Sequence, residues 1–208
     1  LGLFVSPFGN CILGQRRLSI LDLSDRAKQP MQCARGTRVL VYNGECYNYL
    51  ELRAKLESTG IPNTSSGDTE VVGEFLANNP PQSVSELNGM FAVALWDETK
   101  QELFLARDRM GQKPLYYARV GGLLLFASEV RALLASGLVE RKADLDSLGS
   151  FISYGAVQGP GTIVKNVWQL PPASYYIWNF REEKINTYWS PPREKADITS
   201  SDLRACFG

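Results

Sequence analysis

The chain has 208 residues, 44% of them apolar and 21% charged, which suits one domain with a sizeable core and argues against wholesale disorder. Lys plus Arg and Asp plus Glu each number 22, so no net charge draws the chain toward nucleic acid or an anionic membrane. Histidine is absent, which excludes Ser-His-Asp and Cys-His catalysis and every His-ligated metal site; no metal site is expected.

The start, Leu1-Gly2-Leu3, lacks Met and reads as part of a longer product. It is too short and lacks the basic flank of a signal peptide, and no apolar run approaches the ~20 residues of a membrane helix. Cys11, Cys33, Cys46 and Cys206 show no C-x-x-C spacing and read as reduced thiols of a cytoplasmic protein.

In chain order, apolar patches at 3–5, 12–13 and 18–21, with Pro7-Phe8-Gly9-Asn10 between the first two, predict a hairpin. Residues 24–36 are polar and predict a loop, and 39–42 predict a strand running into Asn43-Gly44. Asn48 with Glu51 has the form of a capping box for a helix carrying Tyr49, Leu52 and Leu56 and ending at Gly60. Asp68 opens a second helix with Val71, Val72, Phe75 and Leu76 on one face, stopped by Asn79-Pro80-Pro81. Ser83 and Glu86 suggest another capping box over a short helix. Two hairpins follow, 91–96 with 103–107 and 115–117 with 123–127. Helices at 129–136 and at 145–154, the second capped by Asp144 and closed by Gly155, precede short strands cut by prolines over 159–192. From Arg193 the chain is polar and linker-like. Strands joined by short turns around paired helices imply an α+β layered domain with antiparallel sheets.

Four stretches could carry chemistry. Arg16-Arg17 opens an apolar run and is either a solvated strand end or a fork for a carboxylate. Tyr42-Asn43-Gly44-Glu45 is a turn, or an oxyanion hole in which the Asn43 amide and the Gly44 N–H meet a developing negative oxygen. Asp68 is an N-cap or a carboxylate receiving a substrate ammonium, with the cap favoured from spacing alone. The run Arg107-Asp108-Arg109, with alternating signs, reads as a mutual salt-bridge network holding a connecting loop.

The strings RRLSILDLS, QPM, NGECYNYLELRAKL, GDTEV, LNGMFAVALWD, LFLARDRMGQKPLYY, FASEVRALL, SYGAVQGPGTIVKNVWQLPP and TYW occur in one order from about Gly2 to Trp189. Together they resemble the glutamine amidotransferase domain of glutamine-hydrolysing asparagine synthetases. The resemblance implies a four-layer αββα sandwich of the N-terminal-nucleophile hydrolase type, missing its first strands. Residues 1–190 would be the amidotransferase domain and 191–208 a linker toward a C-terminal synthetase domain absent from this sequence. By position, Arg17 matches the residue holding the glutamine α-carboxylate, with Leu18, Ser19 and Ile20 lining the same pocket. Asn43 and Gly44 match the oxyanion donors, Glu45 the acidic residue that orients the substrate, and Asp68 the carboxylate for the α-ammonium.

The family's nucleophile is an N-terminal Cys whose own amine is the base, so the missing histidine is no obstacle. No cysteine of this chain matches that Cys, and the resemblance implies that the 208 residues alone do not hydrolyse glutamine and expose an unpaired sheet edge. Gln15 stands where relatives often carry His, Ala27-Lys28-Gln29 replaces a common Gly-His-Gln, and Cys46 replaces a usual Ile. The implied function is release of ammonia from glutamine for ATP-dependent amidation of aspartate. No cofactor is implied for this domain; ATP and Mg belong to the synthetase domain. Glutamine and that domain are the implied partners, without nucleic acid or membrane, and a homodimer is compatible. Two other readings stay open: a non-hydrolysing scaffold of the β-lactam synthetase or peptide-cyclase kind, and a free-standing interaction module.

Overall fold

The computed structural model describes residues 2–16, 28–62 and 64–192. The expected first hairpin forms from β1 (Gly2–Val5) and β2 (Ile12–Gln15), paired antiparallel with Val5 opposite Ile12. The stretch expected as a loop holds instead a short strand, β3 (Met31–Cys33), and a 3-10 turn at Ala34–Gly36. Met31 and Cys33 are buried and Gln32 is exposed, an alternation too brief to register as a strand in the sequence. Residues 17–27 lie outside the described residues.

The next strand, β4 (Arg38–Cys46), continues straight through Asn43-Gly44-Glu45 rather than turning there. It is held by a full ladder to β5 (Gly89–Asp97), with Gly44 opposite Phe91. Between them lie α1 (Tyr49–Ser58), α2 (Asp68–Asn78) and a 3-10 helix at Pro81–Glu86. Neither expected capping box forms. Asn48 caps α1 through its backbone, while its side-chain Oδ1 accepts from the Asn88 N–H at 2.9 Å and its Nδ2 donates to the Glu86 carbonyl at 3.0 Å. Asn48 therefore ties the start of α1 to the approach to β5. Ser83 lies inside the 3-10 helix, where Pro81 takes the first position, and its buried hydroxyl has no partner among the described residues.

Both later hairpins are as expected. β6 (Glu102–Arg107) returns from β5 through a turn in which Asp97 Oδ1 accepts from the Thr99 and Lys100 N–H groups at 2.9 and 3.0 Å. β7 (Tyr116–Val120) and β8 (Leu123–Ala127) are joined by Gly121 and Gly122, both at positive φ (55° and 81°), as a two-residue hairpin turn requires. Then follow α3 (Val130–Ala135) and α4 (Leu145–Tyr154), where Asp144 accepts from the Ser147 N–H at 2.9 Å and Gly155 closes the helix at φ 72°. The chain ends its ordered strands with β9 (Val167–Gln169), β10 (Ser174–Asn179) and β11 (Glu183–Thr187). The linker expected from Arg193 lies outside the described residues.

The strands form a six-stranded sheet ordered β11-β10-β6-β5-β4-β3, a three-stranded sheet ordered β8-β7-β9, and the β1-β2 hairpin. Alternation along β5 sorts the layers. Phe91, Val93 and Leu95 pack under Leu52, Leu56, Val71, Val72 and Phe75 of α1 and α2. Ala92, Ala94 and Trp96 face the other way, onto Leu13, Leu115, Tyr117 and Leu124 of the hairpin and the small sheet. The far face of the small sheet, with Ala118 and Val167, packs against Leu133 of α3. The order helices, sheet, sheet, helix is the four-layer α+β sandwich expected. Among the described residues no helix is long and apolar enough to cross a membrane.

Candidate functional site

The site is built on one edge of β4. In an antiparallel ladder the main-chain groups of alternate residues point to opposite sides. The Tyr42 and Cys46 N–H groups point away from β5, as their partners show: Tyr42 N–H donates to Gln29 Oε1 at 2.6 Å, and Cys46 N–H to Asp68 Oδ2 at 2.9 Å. Gln15 Nε2 reaches the Tyr42 carbonyl on the same edge at 3.4 Å. Gly44 lies between these residues, so its N–H also faces the edge, beyond Leu40, the last residue of β4 that β3 pairs. Gly44 is required by packing as well, because a Cβ there would sit 2.3 Å from the Met90 carbonyl oxygen and 2.7 Å from Phe91 Cα.

Asp68 is the first residue of α2, and Gly67 occupies the cap position, so the N-cap reading of Asp68 does not hold. Its carboxylate turns toward β4, where Oδ2 accepts from the Tyr42 hydroxyl at 3.1 Å and from the Cys46 N–H. Burial and then the nearby Asp68 carboxylate push the Tyr42 phenol well above the ordinary tyrosine range, so it stays a donor. The loop before Asp68 is fixed from two sides. Arg53 of α1 donates to the Ser65 carbonyl at 2.8 Å, and Glu70 accepts from the Thr64 and Ser65 N–H groups and the Thr64 hydroxyl. Burial acts to raise the Glu70 pKa, but these hydrogen bonds outweigh it and hold the carboxyl below its usual range.

The structure thus brings Asn43, Gly44, Glu45 and Asp68 to one region, three of them consecutive on β4 and the fourth tied to it. Alternation places the Asn43 and Glu45 side chains on the face of β4 that carries Val39 and Val41, toward the second sheet. Arg17, Leu18, Ser19 and Ile20 lie outside the described residues. Two clefts occur elsewhere, the larger about 280 Å³ and lined by residues that include Asp144, Ser147, Thr162 and Trp168; neither is lined by the residues of this site. The described thiols are poor nucleophiles: burial first, then a nearby carboxylate, pushes Cys11 to about 12 and Cys46 to about 11, and burial raises Cys33 further.

Tyr42, Gln15, Gln29, Arg53 and Glu70 support the site; Gln15 and the stretch containing Gln29 stand out in the sequence as departures from relatives, whereas no supporting role for Tyr42, Arg53 or Glu70 was anticipated. Tyr42 reads as an ordinary inward strand residue, and only Glu70, a few residues beyond Thr64 and Ser65, carries a local signal of reaching back. The Arg107-Asp108-Arg109 run needs a correction too. Among the described residues these charges do not pair with one another. Asp108 accepts from the Phe91, Met110, Gln112 and Lys113 N–H groups, and Arg107 donates to the carbonyls of Lys113 and Leu170.

The domain is thus a four-layer sandwich with main-chain donors on one strand edge beside an anchored carboxylate. Its fold is similar to that of the glutamine phosphoribosylpyrophosphate amidotransferase of B. subtilis, with a TM-score of 0.53 and 23% identity over 77% of this chain and 32% of that one. The chain belongs to the glutamine amidotransferase domain family, whose match spans residues 2–189. Among its relatives, asparagine synthetase [glutamine-hydrolyzing] 3 of Bacillus subtilis (strain 168) is 35% identical over 94% of this chain and 33% of its own length. A putative asparagine synthetase [glutamine-hydrolyzing] 2 of Methanocaldococcus jannaschii is 33% identical over 93% of this chain and 41% of its own length. The chain therefore spans well under half the length of these curated relatives.

Proposed function

We propose that this chain is the glutamine-hydrolysing part of an asparagine synthetase, releasing ammonia for a ligase part that amidates aspartate with ATP and Mg in the cytoplasm. The observation that carries the reading is the anchored Asp68 carboxylate beside the Asn43-Gly44 edge. A zwitterionic amino acid needs a fixed anion for its ammonium, a fixed cation for its carboxylate, and donors for the oxygen of its amide. Asp68 is the anion and Arg17 the cation. The Gly44 N–H and the Asn43 amide stabilise the tetrahedral oxyanion formed when a thiolate attacks the amide carbon; as it collapses the C–N bond breaks, the nitrogen takes up a proton and leaves as ammonia, and water then hydrolyses the thioester to release glutamate and free the thiol. The described thiols, raised by burial, are not that thiolate. An N-terminal Cys whose own amine takes the proton is the chemistry that fits a chain without histidine.

The test uses the full-length protein. Asp68→Ala is expected to abolish glutamate release at sub-saturating glutamine while asparagine formation from added ammonia persists. Unchanged glutamate release in that variant overturns the pocket assignment.

A further inference from the structure

A carboxylate that receives an ammonium must do so with a known oxygen in a known place, yet the terminal torsion of an aspartate is broad and nearly two-fold. Asp68 is partly buried at the start of α2, and among the described residues α2 itself offers its side chain no cap bond to hold it. What holds it comes from β4. Both donors described for Asp68, the Tyr42 hydroxyl at 3.1 Å and the Cys46 N–H at 2.9 Å, go to the same oxygen, Oδ2. Among the described residues Oδ1 accepts nothing. Of the two donors, only the hydroxyl belongs to a side chain.

Tyr42 is itself fixed with unusual completeness. Its side chain is 3% exposed, within the core under α1 and α2. Its backbone N–H and C=O, on the edge where β3 no longer reaches, are taken by the side chains of Gln29 and Gln15. Burying a phenol without a partner is costly, and Asp68 is the partner this one has. Tyr42 also directly precedes Asn43 in the chain. One tyrosine side chain therefore spans from the oxyanion strand to the ammonium carboxylate.

We propose that Tyr42 is a positioning residue for the substrate α-ammonium: it pins Oδ2 of Asp68 so that Oδ1 is presented to the ligand. This rests on the reading of Asp68 given under Proposed function. The test is binding of two ligands by calorimetry to the full-length protein with the proposed N-terminal Cys changed to Ala, so that neither ligand is hydrolysed: L-glutamine and glutaric acid monoamide, which keeps the amide and one carboxylate but lacks the amine. Removing a hydrogen bond to a charged group is expected to weaken glutamine binding by roughly tenfold in Tyr42→Phe, and monoamide binding by less than about twofold. In steady state, with that Cys in place, Tyr42→Phe should raise KM for glutamine with little change in kcat. Equal weakening of both ligands marks Tyr42 as merely structural and overturns the inference, as does unchanged glutamine binding. Asp68→Asn is run beside it and should remove the preference for glutamine over the monoamide. If Asp68→Asn keeps that preference, the pocket reading itself fails; if only the Tyr42→Phe arm fails, the pocket stands and the positioning role falls.

Discussion

Gly44 stands where β4 comes closest to β5. A methyl group there would meet the Met90 carbonyl oxygen at 2.3 Å and Phe91 Cα at 2.7 Å, well inside contact, and both of those atoms belong to the backbone of a nine-residue ladder. Relief requires the strands to part at the point where the proposed function uses the Gly44 N–H as an oxyanion donor. Gly44→Ala should therefore cost stability, by about 2–3 kcal/mol as an overpacked site, and in the full-length protein should abolish glutamine hydrolysis. Denaturant unfolding and glutamate release check the two halves separately, and wild-type values for both would sink the explanation. This residue also shows how far the sequence could be read. Asn-Gly is the strongest turn dipeptide, and by local rules it predicts a reversal. The long pairing with β5 overrides that preference, and pairing between residues so distant in the chain leaves no local mark. The pairing of Asn43 and Gly44 with Asp68 as site residues came from resemblance; the geometry that joins them, through Tyr42 and Cys46, was not legible.

At the scale of elements, the hairpins and the helix closed by Gly155 were readable because turn chemistry sits next to the structure it sets. The capping boxes at Asn48 and Ser83 were not, because their side chains are claimed by tertiary partners or lie inside a 3-10 helix. The start of α2 shows what replaces a cap. Glu70 reaches back to the Thr64 and Ser65 N–H groups and organises the loop that delivers Asp68. Its folded-state pKa lies below the ordinary 4.5, so the ionised form is favoured by folding. The stability it contributes is full above the unfolded-state value and is lost as pH falls through the lowered folded-state value. Glu70→Gln should therefore be less stable than wild type at neutral pH, and the gap between the two should close on acidification from about pH 6 to about pH 3. Urea midpoints across that range measure it; a gap that stays constant would show that the charge of Glu70 has no part in holding the loop.

At the scale of the whole molecule, the chain crosses between the two sheets twice, from β6 to β7 and back from β9 to β10, and Asp108 organises the first crossing. The residue is fully buried. Its Oδ1 accepts from the Met110 and Gln112 N–H groups at 3.1 and 2.9 Å, and its Oδ2 from the Lys113 and Phe91 N–H groups at 2.9 and 3.2 Å. Its backbone bonds Phe91 and Ala173 at 2.9 Å each, joining the crossing to β5 and to the approach to β10. Arg107 beside it holds the Lys113 and Leu170 carbonyls, and Tyr188 donates to the Arg107 carbonyl at 2.8 Å. Every side-chain partner of Asp108 is a donor, so the site requires an acceptor on both oxygens. Asparagine matches aspartate in shape but replaces one oxygen with an NH2 group, which sets a donor against two of these N–H groups. With an orphaned buried donor costing about 1–3 kcal/mol and a part-buried one less, Asp108→Asn should lose about 2 kcal/mol despite being isosteric, and Asp108→Ala, which leaves all four N–H groups without their acceptor, should lose more. Because Phe91 lies opposite Gly44, the same loss should loosen the proposed oxyanion edge and lower the proposed glutaminase activity of the full-length protein even where it remains folded. Chemical denaturation followed by circular dichroism, with glutamate release measured under native conditions, tests both consequences. An Asp108→Asn variant as stable as wild type would mean that a solvated or rearranged loop can replace the buried carboxylate, and that the crossing is not what locks the two sheets together.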